Sequence, residues 1–297
     1  MRITGAVSLA AAFGLFVPRA PAAGAHMGAE ERSLPMEIVG TQIVVPVKID
    51  GKGPFRFVLD TGAGRTALDR DLARELALPV TGRVRVGDPA NPEAIAADEV
   101  RIDRFELAGA VFRNLTAASW EHAALDSESR TRGVLGMEIF SDRLLVLDYP
   151  GRRLIFRPGE LPAADGRGVV PFRRSEGGTL VVPLTIGKVE LEADLDSGSP
   201  EGVALPKKWA GRLALDGELA RIGRGRTAAG EFEIYGATSA ETLRIGSVEI
   251  PRPRLTFNDY LPVANIGYRL LRHFVVTLDQ KNRRVRFETK GSEPIAL

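Results

Sequence analysis

Short runs in which hydrophobic and polar residues alternate dominate the chain. Residues 45–49 and 182–186 alternate in the same way, and a glycine follows each run within two residues. Because successive side chains of a strand face opposite sides of a sheet, such runs predict half-buried strands. Apolar residues at helical spacing occur at 67–78 and 204–215. We therefore expect an all-β fold with one or two short helices in each half of the chain.

Five blocks of sequence occur twice along the chain, in the same order. Among them, apolar strands end at Leu59-Asp60 and at Leu195-Asp196, 136 positions apart. Hairpin patterns at 144–156 and 274–287 close the two copies, and their equivalent residues, such as Asp148 and Asp279, are 131 positions apart. A repeat of this kind indicates that a folding unit has been duplicated. We predict two lobes related by a pseudo-twofold axis, each built around a small β-barrel.

The repeat also sets the predicted domain boundaries. We expect the first lobe at 34–158 and the second at 168–290. The segment between them is rich in Pro, Gly, Ala and charge, which is typical of a linker with few contacts. Residues 1–25 combine Arg2, an uncharged apolar run and small residues at the end, as in a cleaved signal peptide. We therefore expect an exported protein, periplasmic or secreted, without stable membrane insertion.

Composition excludes several function classes. The formal net charge is only +2, so no overall positive field points to nucleic acid. The chain has no cysteine, which excludes thiolate catalysis and cysteine-based zinc sites. None of the three histidines forms a pair with metal-ligand spacing. We accordingly expect no metal, no cofactor and no nucleic-acid partner.

Two short motifs carry the candidate chemistry. Each apolar strand ends in Asp, a small hydroxyl residue and Gly, in Asp60-Thr61-Gly62 and Asp196-Ser197-Gly198. One such tripeptide is commonly a turn, but two at equivalent positions of a duplicated unit would meet between the lobes. Two carboxyls at hydrogen-bonding distance share one proton, so one acts as base and the other as acid. Such a pair can activate water against a peptide carbonyl. Glycosidases also use two carboxylates, but that chemistry would not explain the duplication.

The segments from Leu59 to Ala63 and from Leu195 to Ser199 resemble the active-site signatures of aspartic peptidases in the pepsin and retropepsin-like clan. Val134-Leu135-Gly136 matches the hydrophobic-hydrophobic-Gly element that supports the active-site loop in this family. The chain most resembles bacterial retropepsin-like proteins with two fused lobes. The resemblance implies a monomeric aspartic endopeptidase, acting on peptides or proteins, in which Asp60 and Asp196 activate water. It also implies six residues that support the dyad, namely Thr61, Gly62, Ala63, Ser197, Gly198 and Ser199.

The family further implies a β-hairpin that covers the cleft. Residues 86–97 in the first lobe and 223–235 in the second are the candidates, because both contain turn-forming residues between strand patterns. Tyr235 in the second candidate either contacts substrate or packs as a structural aromatic. Both hairpins are therefore kept as candidates for the flap.

Two residues depart from the family pattern. Asn265 places a polar residue at the first position of the second hydrophobic-hydrophobic-Gly element, and we expect it to loosen the loop behind Asp196. Asp194 lies two residues before Asp196 and so on the same strand face. Unless the strand bends or Asp194 is paired, a third carboxylate there would disturb the titration of the dyad. Ser199 could add a hydroxyl hydrogen bond to the charged pair, whereas Ala63 could not. The departures favour, as an alternative, a catalytically weak or inactive module that binds peptides.

Overall fold

The computed structural model describes residues 7–8, 30–86, 95–121, 130–227, 230–291, 295 and 297. Over these ranges the protein is built mainly of β-strands, with two α-helices and two 3-10 helices, all of them short. The predicted all-β fold is therefore confirmed. The predicted signal peptide lies outside the described residues except for Val7–Ser8. Within the described part, no helix is long and apolar enough to cross a bilayer.

Strands of the first half form an eight-stranded sheet that closes on itself. Its members are β3 (Glu37–Val39), β4 (Gln42–Ile49), β5 (Lys52–Leu59), β6 (Ala67–Asp69), β7 (Val80–Val86), β8 (Ile95–Leu107), β9 (Ala110–Trp120) and β10 (Gly133–Leu135). Their order is β3-β4-β5-β10-β6-β9-β8-β7, and β4 also pairs with β8. The buried rings of Phe57, Phe105 and Phe112 pack edge to face in its interior, with successive centroids 6.2 and 6.3 Å apart. The apolar faces predicted from the alternation thus line one barrel core.

An eleven-stranded sheet holds the equivalent strands of the second half. Its members are β1 (Val7–Ser8), β14 (Arg173–Arg174), β15 (Leu180–Ile186), β16 (Val189–Leu195), β17 (Val203–Pro206), β18 (Leu215–Thr227), β19 (Gly230–Ser239), β20 (Leu243–Ile245), β21 (Val248–Ile250), β22 (Arg254–Asn258) and β23 (Ala264–Ile266). The path β14-β15-β16-β23-β17-β22-β19-β18 repeats the order of the first sheet strand for strand, and the pairing of β15 with β20 corresponds to that of β4 with β8. The duplicated sequence pattern therefore has a duplicated strand order as its counterpart.

The second sheet differs from the first where its long strands are interrupted. The counterpart of β8 is divided into β19 and β20, and the counterpart of β9 into β21 and β22. Pro251 and Pro253 lie at the second interruption. Because proline has no backbone N–H, it cannot donate to the ladder in the middle of a strand. The interruption between β21 and β22 therefore follows from prolines that are present in the second half.

A six-stranded sheet joins the two halves. Its strands are β2 (Arg32–Pro35), β11 (Leu144–Asp148), β12 (Arg153–Arg157), β13 (Val170–Pro171), β24 (Phe274–Asp279) and β25 (Arg284–Thr289). Its order is β13-β25-β24-β11-β12-β2, so the equivalent strands β11 and β24 lie side by side at its centre. They run antiparallel, and Val146 lies opposite Thr277, its own equivalent in the repeat. An antiparallel pair with this register has a local twofold axis between the two strands.

The helices are shorter than the leucine spacing indicates. Helix α1 (Arg70–Glu75) follows the first Asp motif, whereas a 3-10 helix, Lys207–Arg212, takes its place in the second half. Pro206 ends β17 and is the N-cap of this 3-10 helix, and Leu215 already belongs to β18. Gly211 within so short a run disfavours a longer helix. A second 3-10 helix, Met137–Phe140, and α2 (Tyr268–Leu271) complete the set.

The expectation that few contacts cross the segment 158–168 is wrong. Leu161 is buried, its N–H donates to Asp279 Oδ2 at 2.9 Å, and its carbonyl accepts from Arg284 at 2.7 Å. This segment runs along the central sheet, which supplies partners for its backbone groups. Ile295 also lies in the main hydrophobic cluster, beyond the predicted end of the second lobe at 290.

Candidate active site

The two Asp motifs lie face to face at the ends of β5 and β16. The N–H of Asp60 donates to the carbonyl of Leu135 on β10 at 3.1 Å, and the N–H of Asp196 donates to the carbonyl of Ile266 on β23 at 2.9 Å. Each hydrophobic-hydrophobic-Gly strand thus supports the Asp loop beside it. Because the same strand order positions both loops, residues 136 apart in sequence become neighbours in space.

Two hydroxyl residues tie the loops together by reciprocal hydrogen bonds. Thr61 Oγ1 donates to the carbonyl of Leu195 at 2.7 Å and accepts the N–H of Ser197 at 2.9 Å. Ser197 Oγ donates to the carbonyl of Leu59 at 3.0 Å and accepts the N–H of Thr61 at 3.0 Å. Both side chains are fully buried. Each hydroxyl therefore satisfies backbone groups of the opposite strand, which fixes the separation of the two loops.

The glycines of the motifs allow the two carboxyls to approach each other. A Cβ on Gly62 would lie 2.8 Å from the Asp196 Cγ, and a Cβ on Gly198 would lie 2.8 Å from the Asp60 Cγ. Those separations are shorter than real side chains tolerate, so only glycine fits at either position. The carboxyls of Asp60 and Asp196 are themselves in hydrogen-bonding contact. Both glycines are therefore required for the close approach of the two loops.

Backbone N–H groups of the loops also donate to the carboxyls. Gly62 donates to Asp60 Oδ1 at 2.8 Å, and Gly198 donates to Asp196 Oδ1 at 2.9 Å. Ser199 donates its N–H to the same Asp196 oxygen at 3.1 Å. The hydroxyl of Ser199, which the sequence suggested as the donor, instead accepts a long bond of 3.4 Å from the N–H of Glu201. The N–H of Ala63 reaches only the backbone carbonyl of Asp60, at 3.2 Å.

Both carboxyls titrate in a site nearly closed to water. Asp60 is 3% exposed and Asp196 is 1% exposed. Burial raises the pKa of each carboxyl above the ordinary aspartate value, because the charged form loses its hydration. Repulsion between the two carboxyls raises further the pKa of whichever one ionises second. Two buried carboxyls in contact do not both ionise readily, so the pair holds one proton over an extended pH range.

A side-chain amide distinguishes the two carboxyls. Asn265 Nδ2 donates to Asp196 Oδ2 at 2.8 Å. Asn265 lies on β23 opposite Ala204, as Val134 lies on β10 opposite Ala67. The expected loosening of the loop is therefore wrong, since the polar residue bonds directly to the dyad. Val134 offers no such donor to Asp60.

Comparison with known families agrees with the geometry of the first loop. Residues 45–139 match the family model for aspartyl proteases. The matched segment contains Asp60-Thr61-Gly62 and the supporting strand β10, and it ends before the second Asp motif. No curated protein matches the chain. The aspartyl-protease match supports a protease-related function for the first half. The position of Asp196, equivalent to that of Asp60, comes from the strand order of the second sheet.

Asp194, the carboxylate two residues before Asp196, has a hydrogen-bond partner of its own. Asp194 Oδ1 accepts a hydrogen bond of 2.6 Å from Thr179 Oγ1, and Thr179 Oγ1 contacts Ser175 Oγ, also at 2.6 Å. Thr179 and Ser175 hold the turn between β14 and β15, in which the Gly177 carbonyl packs against Gly64 of the Asp60 loop. Asp194 therefore anchors a turn that supports the opposite loop. The expected disturbance of the dyad by this side chain is not what the contacts show.

We expect Asp194→Val to lower stability without moving the alkaline limb of a pH–rate profile. The buried hydroxyl of Thr179 would lose its acceptor, a loss of about 1–3 kcal/mol in the free energy of unfolding. Thr179→Val, which removes the same bond from the other side, should destabilise the protein to a similar degree. Denaturant titration and a pH profile of both variants would measure this. A limb displaced to lower pH in a folded Asp194→Val protein would show that its charge reaches the dyad.

Sequence reasoning missed several buried groups around the site. Glu138 Oε1 accepts the N–H of Thr66 at 2.7 Å, and burial raises the pKa of this carboxyl. Gln280 Nε2 donates to the carbonyl of Met137 at 2.8 Å and so joins the central sheet to the 3-10 helix that follows β10, the strand behind Asp60. Burial raises the pKa of the Tyr149 hydroxyl, and the charges of Asp196 and Asp60 add to this effect. Single polar residues just before or after a strand form no sequence motif, so only the packing of the folded chain identifies them.

Both candidate hairpins exist as paired strands. Strands β7 and β8 flank the first candidate, and β18 and β19 flank the second. Residues 87–94 and 228–229 at their tips lie outside the described residues. Tyr235 packs its ring under Lys207 Nζ, 3.9 Å from the ring centroid, and its hydroxyl donates to Glu233 at 2.7 Å. These contacts give Tyr235 a structural role in the second hairpin. In the described part of the chain, no cluster of His, Cys, Asp and Glu is arranged to hold a metal ion.

Proposed function

We propose that this protein is an aspartic endopeptidase that hydrolyses peptide bonds with water activated between Asp60 and Asp196. The observation that carries the proposal is the contact between these two buried carboxyls, held by the reciprocal bonds of Thr61 and Ser197. The aspartyl-protease match over residues 45–139 supports the same reaction class. We also propose that the halves 34–158 and 168–290 act as two lobes, each of which contributes one aspartate.

The reaction would use the single proton of the pair. The ionised carboxyl takes a proton from water while the water oxygen bonds to the peptide carbonyl carbon. The protonated carboxyl gives its proton to the carbonyl oxygen, which yields a neutral gem-diol. The first carboxyl then passes its proton to the peptide nitrogen as the C–N bond breaks, and one hydroxyl of the diol returns a proton to the second. The products are an acid and an amine, and the pair regains its starting state.

The alternative is a peptide-binding module with little turnover. Asn265 supports this alternative, because its bond to Asp196 Oδ2 occupies an oxygen that would otherwise be free for water. A diverse peptide library with and without a statine-type inhibitor separates the two functions. A working pair should cleave peptides and bind the transition-state mimic far more tightly than a plain peptide. Binding of both ligands with similar affinity and no cleavage would favour the alternative.

The pH profile of the peptidase should extend above the range of an ordinary aspartate. Because burial raises the pKa of both carboxyls, the pair keeps its working proton at pH values where free aspartate is ionised. We expect activity to peak at mildly acidic pH and to fall towards neutral pH as that proton is lost. For the same reason, stability contributed by the protonated pair is complete below the ordinary aspartate pKa and declines as the pH rises through the raised value. Rate profiles and thermal unfolding across pH would measure both, and a rate that rises steadily to alkaline pH would contradict the proposal.

A further inference from the structure

We propose that Asn265 holds the negative charge of the dyad on Asp196, so that Asp196 is the general base and Asp60 carries the shared proton. The proposal rests on the proposed function for its chemical roles, but the location of the proton is a property of the folded protein alone. It makes Asn265 a positioning residue that acts through Asp196. The duplication by itself would leave the two carboxyls equivalent.

The hydrogen bonds around the two carboxyls are unequal. Asp196 accepts N–H donors from Gly198, Ser199 and Asn265, at 2.9, 3.1 and 2.8 Å. Asp60 accepts the N–H of Gly62 at 2.8 Å and is also close to the N–H of Gly198. A side-chain donor equivalent to Asn265 is absent at Asp60, because Val134 occupies that position on β10. Each N–H that donates to a carboxylate favours its charged form.

The Asn265 amide also restricts where the proton can reside. Its NH₂ group only donates, so an Asp196 oxygen that accepts this bond has less freedom to carry a proton itself. The Asn265 Oδ1 is buried without a hydrogen-bond partner among the described residues, which costs stability. A charge-assisted bond from Nδ2 to an ionised Asp196 offsets that cost better than a bond to a neutral carboxyl would. Repulsion between the carboxylates acts on whichever of the two ionises second, so it does not decide which one ionises first.

Other ionisable groups near the dyad do not remove this asymmetry. Tyr149 interacts with both Asp60 and Asp196, and burial raises its pKa, so it stays neutral in the working range. Tyr268 packs against Tyr149, with ring centroids 6.1 Å apart. Asp194, on the strand that leads to Asp196, accepts from Thr179. The Asn265 amide is therefore the feature that separates the two carboxyls.

The assignment orders the proton transfers of the reaction. Asp196 takes the proton from water as the oxygen–carbon bond forms, and Asp60 gives its proton to the carbonyl oxygen. During breakdown, Asp196 protonates the departing nitrogen and Asp60 recovers a proton from the gem-diol. Asn265 stays bonded to Asp196 throughout, and this hydrogen bond becomes weaker only when Asp196 is neutral. Removal of the amide should therefore affect the first ionisation of the pair more than the loss of its last proton.

Carboxyl NMR of protein labelled at the aspartate side-chain carbons tests the proposal directly. Signals are assigned with Asp60→Asn and Asp196→Asn. At a pH where the pair holds one proton, wild type should show Asp196 with an ionised shift and Asp60 with a protonated shift. Asn265→Val, which copies Val134 of the first half, should raise the pKa of the first ionisation by about one pH unit and make the two shifts more alike. The acid limb of the activity profile should move upward with it, while the alkaline limb changes little.

Two further variants keep the test decisive. Asn258→Leu removes another buried asparagine of the same half, one whose amide oxygen accepts the N–H groups of Tyr260 and Leu261, and should leave the dyad signals unchanged. Val134→Asn keeps Asn265 and offers a donor on the Asp60 side, so Asp60 should take up part of the charge. This variant tests the proposal even if Asn265→Val does not fold.

A wild-type spectrum with Asp60 ionised and Asp196 protonated would overturn the proposal, since Asn265 would then have to turn its oxygen towards Asp196. A first ionisation that is unchanged in folded Asn265→Val, or an Asp60 signal that is unchanged in folded Val134→Asn, would do the same. Labelled carboxyls titrate whether or not peptides are cleaved. Failure of the library experiment would therefore count against the proposed peptidase and not against the proton assignment, and the reverse also holds.

Discussion

Asp60→Asn and Asp196→Asn should each abolish nearly all peptidase activity. An amide cannot take a proton from water or give one to the carbonyl oxygen at the position of the missing carboxyl. The rate should fall by at least about three orders of magnitude, and the double variant should lose little more, because residues that act on one step are grossly non-additive. Measured kcat/KM of both single variants and the double variant tests this. If either single variant keeps near-full activity, the two aspartates do not work as one site.

Stability provides the control for those variants. Both amides should be accommodated, and at neutral pH the variants should be at least as stable as wild type, because the cost of ionising a buried carboxyl is removed. The difference should shrink as the pH falls, where the wild-type pair is protonated. Asp142→Asn, at a position whose side chain is 59% exposed, serves as a matched change in the first half and should alter neither property. An unfolded Asp60→Asn protein would make its lost activity uninformative, and Asp196→Asn would then carry the test.

Thr61→Val should disrupt the site from outside the dyad. Valine has nearly the shape of threonine but leaves the N–H of Ser197 and the carbonyl of Leu195 without their buried partner. Loss of these bonds should lower the free energy of unfolding by about 2–5 kcal/mol. Because the two loops would no longer be held at a fixed separation, kcat should also fall by about a hundredfold, in keeping with the sensitivity of catalysis to small misplacements. Denaturant unfolding and steady-state kinetics on the same preparation would measure both effects.

Thr61→Ser is the matched control, because it keeps the hydroxyl and removes only a methyl group. We expect it to recover most of the stability and most of the activity. If Thr61→Val and Thr61→Ser proved equally stable and equally active, the reciprocal bonds would not be what holds the loops. A loss confined to KM would indicate that Thr61 affects substrate binding and not the geometry of the dyad.

Features that depend on local sequence were predictable from the chain. The alternation of 45–49 and 182–186 gave half-buried strands because strand periodicity is a local property. The turn that brings the N–H of Gly62 to Asp60 spans two residues, as does the one at Gly198 and Asp196. The repeat then placed both turns at equivalent points of a duplicated strand order. Fold class and the meeting of the two Asp motifs therefore follow from the sequence with few assumptions.

The partners of side chains that bond across strands were not predictable from the sequence. Asn265 and Asp194 looked like defects because the polar residue and the extra carboxylate break an apolar pattern. The identity of their partners, Asp196 and Thr179, depends on which strands lie side by side and in which register. The sequence by itself thus determined the duplicated β-fold and the pair of candidate aspartates. Only the tertiary structure decided how the two carboxyls differ, because a buried polar group must find its partner in space and no local pattern records which one it finds.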